Sequence, residues 1–166
     1  MITLPALITR ACRADPQGIA TLFSDRECTW EALVDHVSRM ALALQHLGMV
    51  AGDRVALLSL NSDRYFESMF AIPWAGFTMV PLNTRWTLSE IQYAINDSQA
   101  KIVFFDSHFV EQAQWLLDHQ PALKSCIYME DEGCPSWALS YTELLESSHC
   151  CGMSELSPND IAGIFY

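Results

Sequence analysis

Apolar and polar positions between Gly52 and Asp106 follow a strand–helix–strand–helix–strand succession. Val55-Ala56-Leu57-Leu58-Ser59-Leu60 is a short apolar run without polar alternation, the pattern of a strand covered on both faces. Asn61 or Ser62 is placed to cap the helix that follows, and Gly76 to end it at the C′ position. Phe77-Thr78-Met79-Val80-Pro81-Leu82 reads as the second strand. Thr87-Leu88-Ser89-Glu90 is a capping box, in which Thr87 and Glu90 each satisfy a backbone N–H left free at the helix start. A helix to about Asp97 leads to a third strand, Lys101–Phe105. Strands spaced by helices in this way imply right-handed crossovers. The expectation is an α/β protein with a mostly parallel, doubly wound sheet and helices on both faces.

The flanks extend the pattern. Ile19–Phe23 and Cys28–Trp30 read as two short strands around the turn Ser24-Asp25-Arg26. Trp30, Leu33, Val34, Val37, Met40, Ala41, Leu44 and Leu47 fall at helical spacing, with Thr29 as cap and Gly48 as stop; that stripe reads as core packing rather than a cofactor surface. Ser107 opens a helix towards His119, Ser125–Met129 is a strand, and Ser140-Tyr141-Thr142-Glu143 is a second capping box. Pro73 predicts a kink or an early helix end, because proline removes a hydrogen bond and costs ~3 kcal/mol in a helix interior. Ser157-Pro158-Asn159-Asp160 is turn chemistry, and Ile161–Tyr166 reads as an apolar strand. Open sheets bind ligands just beyond the carboxyl ends of their strands, and the sequence stops where such a loop is expected to begin. Truncation is the preferred expectation; a terminal strand tucked into the sheet is the alternative.

Composition narrows the function classes. A chain of 166 residues that is 51% apolar supports one compact domain. No apolar stretch approaches the ~18 residues needed to span a bilayer, and Met1–Ala6 lacks the features of a signal peptide. Cys12, Cys28, Cys126, Cys134, Cys150 and Cys151 fit no disulfide framework, so reduced thiols in the cytoplasm are expected. The net charge is −11, and residues 125–166 hold seven acids and no base. That balance argues against sequence-independent binding to nucleic acid or to an anionic membrane surface. It leaves room for a small anionic ligand held by one or two placed arginines.

Self-contained catalytic motifs are missing. There is no G-x-G-x-x-G, no Walker loop, no G-x-S-x-G elbow and no His-Glu-x-x-His. His149-Cys150-Cys151 is metal-like only in composition, since adjacent cysteines do not match C-x₂₋₄-C ligand spacing; packing or a free loop thiol is the expectation, with no metal. Asp106, at a strand end, reads either as a phospho-acceptor or as a helix cap; the acids and lysine that phospho-transfer needs are not placed, which favours the cap.

Asp15-Pro16, Ile19-Ala20, Asp25-Arg26 and Thr29-Trp30 resemble the opening of AMP-forming acyl-CoA synthetases, members of the acyl-adenylate-forming superfamily. Gly52-Asp53-Arg54-Val55-Ala56, Asn61-Ser62, Ala75-Gly76, Pro81-Leu82-Asn83-Thr84-Arg85 and Asp97-Ser98-Gln99-Ala100-Lys101 with Asp106 resemble the same family in the same order. Asp160-Ile161-Ala162 through Tyr166 is similar to the strand that leads into that family's phosphate-binding loop. Asn83-Thr84-Arg85-Trp86 together with Asn61-Ser62-Asp63-Arg64-Tyr65 most resembles the fatty-acyl branch.

The resemblance implies a two-step ligase. A carboxylic (fatty) acid attacks ATP, with Mg²⁺, to give an acyl-adenylate and pyrophosphate; the thiol of coenzyme A then displaces AMP. Residues 1–166 would be the N-terminal part of the large AMP-binding domain, cut before the phosphate loop and without the C-terminal domain. The family's catalytic parts match no position here, so no catalytic residue is assigned, and the fragment is expected to be inactive and to bind no ATP, Mg²⁺ or coenzyme A alone. One cofactor contact is carried over: Arg85, near the 3′-phosphate of coenzyme A in the matching motif, with a surface arginine pairing with a nearby acid or helix end as the alternative. Trp86 could staple the next helix against Ile91. Surface left apolar where the missing part docks implies self-association of the fragment. Two other readings stay open: a piece of an adenylation domain that loads a carrier protein, and a complete non-catalytic α/β binding module.

Overall fold

The computed structural model describes residues 3–156 and 159–166, so Ser157 and Pro158 of the expected turn lie outside the described residues. In chain order the elements are α1 (Leu4–Ala14), β1 (Ile19–Phe23), β2 (Arg26–Thr29), α2 (Trp30–His46), β3 (Arg54–Leu58), α3 (Asp63–Trp74), β4 (Thr78–Pro81), α4 (Leu88–Ser98), β5 (Ala100–Phe105), α5 (Val110–His119), β6 (Ser125–Tyr128), β7 (Leu139–Ser140) and α6 (Tyr141–Ser147). β1 and β2 form an antiparallel hairpin. The other five strands form a parallel sheet in the order β4-β3-β5-β6-β7. The expected α/β architecture is present.

Strand side chains divide between two cores. Val55, Leu57, Met79, Ile102, Phe104 and Ile127 face a core built with α2 and α3, into which Ile8 of α1 and Tyr141 of α6 also pack. Ala56, Leu58, Val80, Val103, Phe105 and Tyr128 face the opposite core with α4 and α5. Alternate residues of every central strand are therefore buried on opposite faces, which is why β3 and β5 read as unbroken apolar runs. The sheet is doubly wound.

Local signals act as the sequence implies. Thr29 and Ser62 accept from the N–H groups of Ala32 and Tyr65 at the starts of α2 and α3. Thr87 and Glu90 form the reciprocal capping box of α4, and Trp86 packs in the same core as Ile91. Gly48 and Gly76 follow α2 and α3 with φ of 76° and 82°, a conformation open to glycine at little cost. α3 ends at Trp74, one residue beyond Pro73.

Three expectations are corrected. Ser140 accepts from the N–H of Glu143, but no return bond from the Glu143 carboxylate occurs among the described residues, so only half of the second capping box forms. Ser107–Phe109 is a 3₁₀ turn capped by Asp106, and α5 starts at Val110. Ile161–Tyr166 is not a strand: it touches the open edge of β4 through one parallel bridge, Met79 to Gly163. The N–H of Met79 donates to Ala162 O at 3.0 Å and the N–H of Ile164 to Met79 O at 2.9 Å. The next outward-facing donor on β4 would be residue 81, which is proline and has no N–H, so the ladder stops.

Candidate functional site

A doubly wound sheet offers a crevice where its strand order reverses, outside the carboxyl ends of the two strands concerned. Here the chain runs from β3 to β4 on one side and then crosses back to β5 on the other, so the reversal lies between β3 and β5. The loop after β3 leaves for α3 on one face, and the loop after β5 leaves for α5 on the other. Asp106 spans the gap. Its Oδ2 accepts from the hydroxyl of Ser59 at 2.9 Å and from the N–H of Leu60 at 2.6 Å, while Oδ1 accepts from the N–H of His108 at 2.8 Å. Asp106 is buried and acts as the helix cap of the two roles the sequence allows.

A cavity of about 330 Å³ opens over this point, walled by Arg26, Asn61, Ser62, Asp106, His108 and Asp131 among others. Its charges are already matched. Arg26 reaches Asp63 at 2.8 Å and Asp131 at 2.6 Å. Arg64 pairs with Asp131 and donates to the carbonyl of Met129 at 2.8 Å and to Thr142 at 3.0 Å. Burial alone would raise the Asp131 carboxyl, but Arg64, Thr142 and Arg26 hold it below the ordinary range. Glu130 is likewise held low, against its burial, by Ser107 and Tyr128, and the Tyr128 phenol rises to about 12 through burial and that carboxylate.

The geometry decides what the crevice can hold. Asp106, His108 and Glu130 bring ligand atoms within 4.8 Å of one another. Both Asp106 oxygens are already committed, Glu130 Oε1 accepts from Ser107 and Glu130 Oε2 from Tyr128. A hard cation such as Mg²⁺ would compete with these bonds for the same oxygens, and a triphosphate would meet two arginines already neutralised by Asp63 and Asp131. The residues present do not fit nucleotide phosphates or their metal, and no adenylation step is placed on them. A larger groove, about 640 Å³, lies beside Gly52, Gly76, Phe77, Ser154 and Ile161. It sits at the amino ends of β3 and β4, the wrong end of a parallel sheet for ligand chemistry.

Arg85 stands apart from the crevice. Leu82 extends β4 by donating its N–H to Leu57 O at 2.9 Å. Asn83 then turns the chain, its side-chain oxygen accepting from the N–H of Arg85 at 3.0 Å. Arg85 is exposed at the carboxyl edge, and among the described residues its guanidinium has no ion pair, so the surface pairing considered for it is not formed. His149-Cys150-Cys151 assembles no metal set among the described residues: Cys150 donates to Asp35 and Cys151 to the carbonyl of Ser38.

Sequence reasoning did not find the Arg26–Asp63–Asp131–Arg64 network, whose members come from the hairpin, α3 and the loop after β6. Nor did it find the contact of His36 with Glu67, Nδ1 to Oε1 at 2.8 Å, beside Cys28. Hydrogen bonds to Cys28 and Glu67 lift the His36 imidazole to about 10, against its burial. Both arrangements need tertiary placement; only Asp106, at the end of an apolar strand, left a trace in one dimension.

Comparison with known proteins agrees with the fold. The chain is 30% identical over 137 residues to 4-hydroxybutyrate–CoA ligase 2 of Metallosphaera sedula, covering 82% of this chain and 24% of that protein. It is 35% identical over 95 residues to the fatty acid–[acyl-carrier-protein] ligase ScoC of Streptomyces coeruleorubidus, covering 57% of this chain and 18% of that one. The crystal structure of the anthranilate CoA ligase AuaEII with anthranoyl-AMP superposes with a TM-score of 0.90 at 22% identity, over 96% of this chain and 31% of that one, which shows a shared fold. The chain thus spans about a quarter or less of the curated relatives it matches here. Residues 8–166 match the family model of the AMP-binding enzymes, and the chain belongs to that family.

Proposed function

We infer that residues 1–166 are the N-terminal part of the AMP-binding domain of an acid–thiol ligase, which activates a carboxylic acid with ATP as the acyl-adenylate and passes it to coenzyme A. The observation that carries this reading is the family match over residues 8–166 in a chain that spans 24% of the M. sedula ligase. The crevice supports it: its arginines are spent on Asp63 and Asp131, so the phosphates of ATP require donors from elsewhere in the protein. A fatty acid is the proposed acid, supported by ScoC, and the cytoplasm the proposed compartment, supported by six unpaired cysteines. Among the described residues no helix is long and apolar enough to cross a membrane.

The test is an adenylation assay by pyrophosphate exchange, on this chain alone and on the full-length protein. No exchange from the chain and exchange from the whole are expected; acyl-AMP made by the chain alone overturns the reading. ScoC favours a carrier-protein thiol as the second reading of the acceptor. Arg85 bears on that choice, since an unpaired guanidinium on the carboxyl edge suits the 3′-phosphate of coenzyme A. Arg85→Ala in the full-length enzyme is expected to raise KM for coenzyme A with kcat preserved. An unchanged KM removes Arg85 from the site.

A further inference from the structure

Cys28, His36 and Glu67 come from β2, α2 and α3, and take no part in the crevice. Their ligand atoms lie within 4.8 Å of one another. Donors around a tetrahedral Zn²⁺, at ~2.0–2.3 Å from the ion, stand about 3.3–3.7 Å apart, so the set closes on an ion by small side-chain rotations. We propose that Cys28, His36 and Glu67 form a Zn²⁺ site that clamps the β1–β2 hairpin to α2 and α3.

Ligand chemistry selects the metal. One sulfur, one imidazole nitrogen and one carboxylate oxygen make a borderline-soft set that suits Zn²⁺ and is poor for Mg²⁺ or Ca²⁺. Three protein ligands leave the fourth position to water. The carboxylate is positioned in advance: the Glu67 side chain is only 6% exposed, its Oε2 accepts from the hydroxyl of fully buried Tyr141 at 2.8 Å, and its Oε1 faces the cluster, 2.8 Å from His36 Nδ1. Such outer partners fix ligand orientation in metal sites. The His36 side chain is 38% exposed and provides the entry path.

A further donor lies across the hairpin. Thr21 is the register partner of Cys28, and its buried hydroxyl has no hydrogen-bond partner among the described residues. A metal-bound water or the Cys28 thiolate would satisfy it. In the metal-bound state the ion replaces the thiol proton of Cys28 and the proton shared by His36 and Glu67, both of which leave to solvent.

The test is titration of the reduced, untagged chain with Co²⁺ as a spectroscopic stand-in, followed by displacement with Zn²⁺. One Co²⁺ per chain is expected, with a thiolate-to-cobalt charge-transfer absorption that Zn²⁺ abolishes. Cys28→Ser loses that absorption and Cys150→Ser keeps it; Glu67→Gln weakens binding by roughly tenfold or more. Excess Zn²⁺ raises the thermal midpoint of the wild type and not of Cys28→Ser, whose metal-free midpoint matches the wild type and so shows that it folds. Sub-stoichiometric binding, or an absorption that survives Cys28→Ser, overturns the proposal.

Discussion

Replacing Asp106 by alanine removes the side-chain link between the carboxyl ends of β3 and β5, whose backbone ladder remains. Three hydrogen bonds are lost: from the Ser59 hydroxyl, the Leu60 N–H and the His108 N–H. Bonds to a charged acceptor contribute ~1.5–3 kcal/mol each, and a lost helix cap alone costs ~1 kcal/mol. The sum is not additive. Leu60 is 42% exposed, so water reaches this loop and rehydrates part of what is freed. A loss of ~3 kcal/mol is the working figure, equivalent to roughly 6–12 °C in Tm for a chain of this size. Urea unfolding measures it directly: with m of ~1–3 kcal/mol/M, the midpoint falls by about 1 M or more while m stays constant. Asp106→Asn is milder, because its amide keeps one acceptor oxygen but turns an NH₂ towards either Leu60 or His108. A double-mutant cycle with Ser59→Ala isolates the bridge itself, with an expected coupling of ~1 kcal/mol. Stability of Asp106→Ala within ~0.5 kcal/mol of wild type would refute the idea that this carboxylate ties β3 to β5.

Other consequences are open to simple measurement. Burial would raise the Asp53 carboxyl, yet Lys101 at 2.6 Å and the N–H of Val50 hold it below its ordinary 3.8. A depressed folded value adds stability above the unfolded one and loses it as pH falls through the folded one. The stability gap between wild type and Asp53→Asn is therefore expected to be widest near neutrality and to shrink below about pH 4; a gap that does not change with pH contradicts the pairing. Ser62→Ala should cost ~1 kcal/mol through the lost cap on Tyr65, and Ser62→Gly only a few tenths, both by urea unfolding. Equal losses would mean the hydroxyl does not cap α3. Exposed Tyr93, Ile161 and Phe165 should make the chain self-associate in light scattering, and a monomer at all concentrations would count against it.

Much of the fold was legible because its signals are local. Capping at Thr29, Ser62 and Thr87, the stops at Gly48 and Gly76, and apolar runs at β3 and β5 each need only a few neighbouring residues. Where the sequence misled, a partner decided the outcome. Ile161–Tyr166 has the composition of a strand, but pairing depends on the edge offered to it, and Pro81 withholds the second donor. Ser140 and Glu143 have the spacing of a capping box, yet only the Ser140 half forms. α4 ends on Gln99 in a left-handed conformation, with φ of 55°, where no glycine marks the stop. β7 is two residues long and visible only through its pairing with β6. Site chemistry was harder still: Arg26 lies 105 positions from Asp131, and no periodicity links residues so far apart.

Electrostatics explains how so acidic a chain could serve the proposed ligase, whose substrates are anions. The acids are not spread as a repelling shell at the crevice. Asp131 lies between Arg26 and Arg64, and Asp63 completes the set from α3, so each arginine holds the hairpin or the loop after β6 in place. The Arg64 guanidinium also lies 5.0 Å above the Tyr141 ring, adding a cation–π contact to a side chain that is only 13% exposed. Moving Arg26 onto a phosphate would leave Asp63 without its arginine, and moving either arginine would leave Asp131 with one cation in place of two, at a cost that a flexible surface lysine would not face. The cations of the crevice are thus structural, and the affinity for phosphate that the proposed ligase needs must come from side chains without such partners. Arg85, turned out at the carboxyl edge by Asn83, is a side chain of that kind.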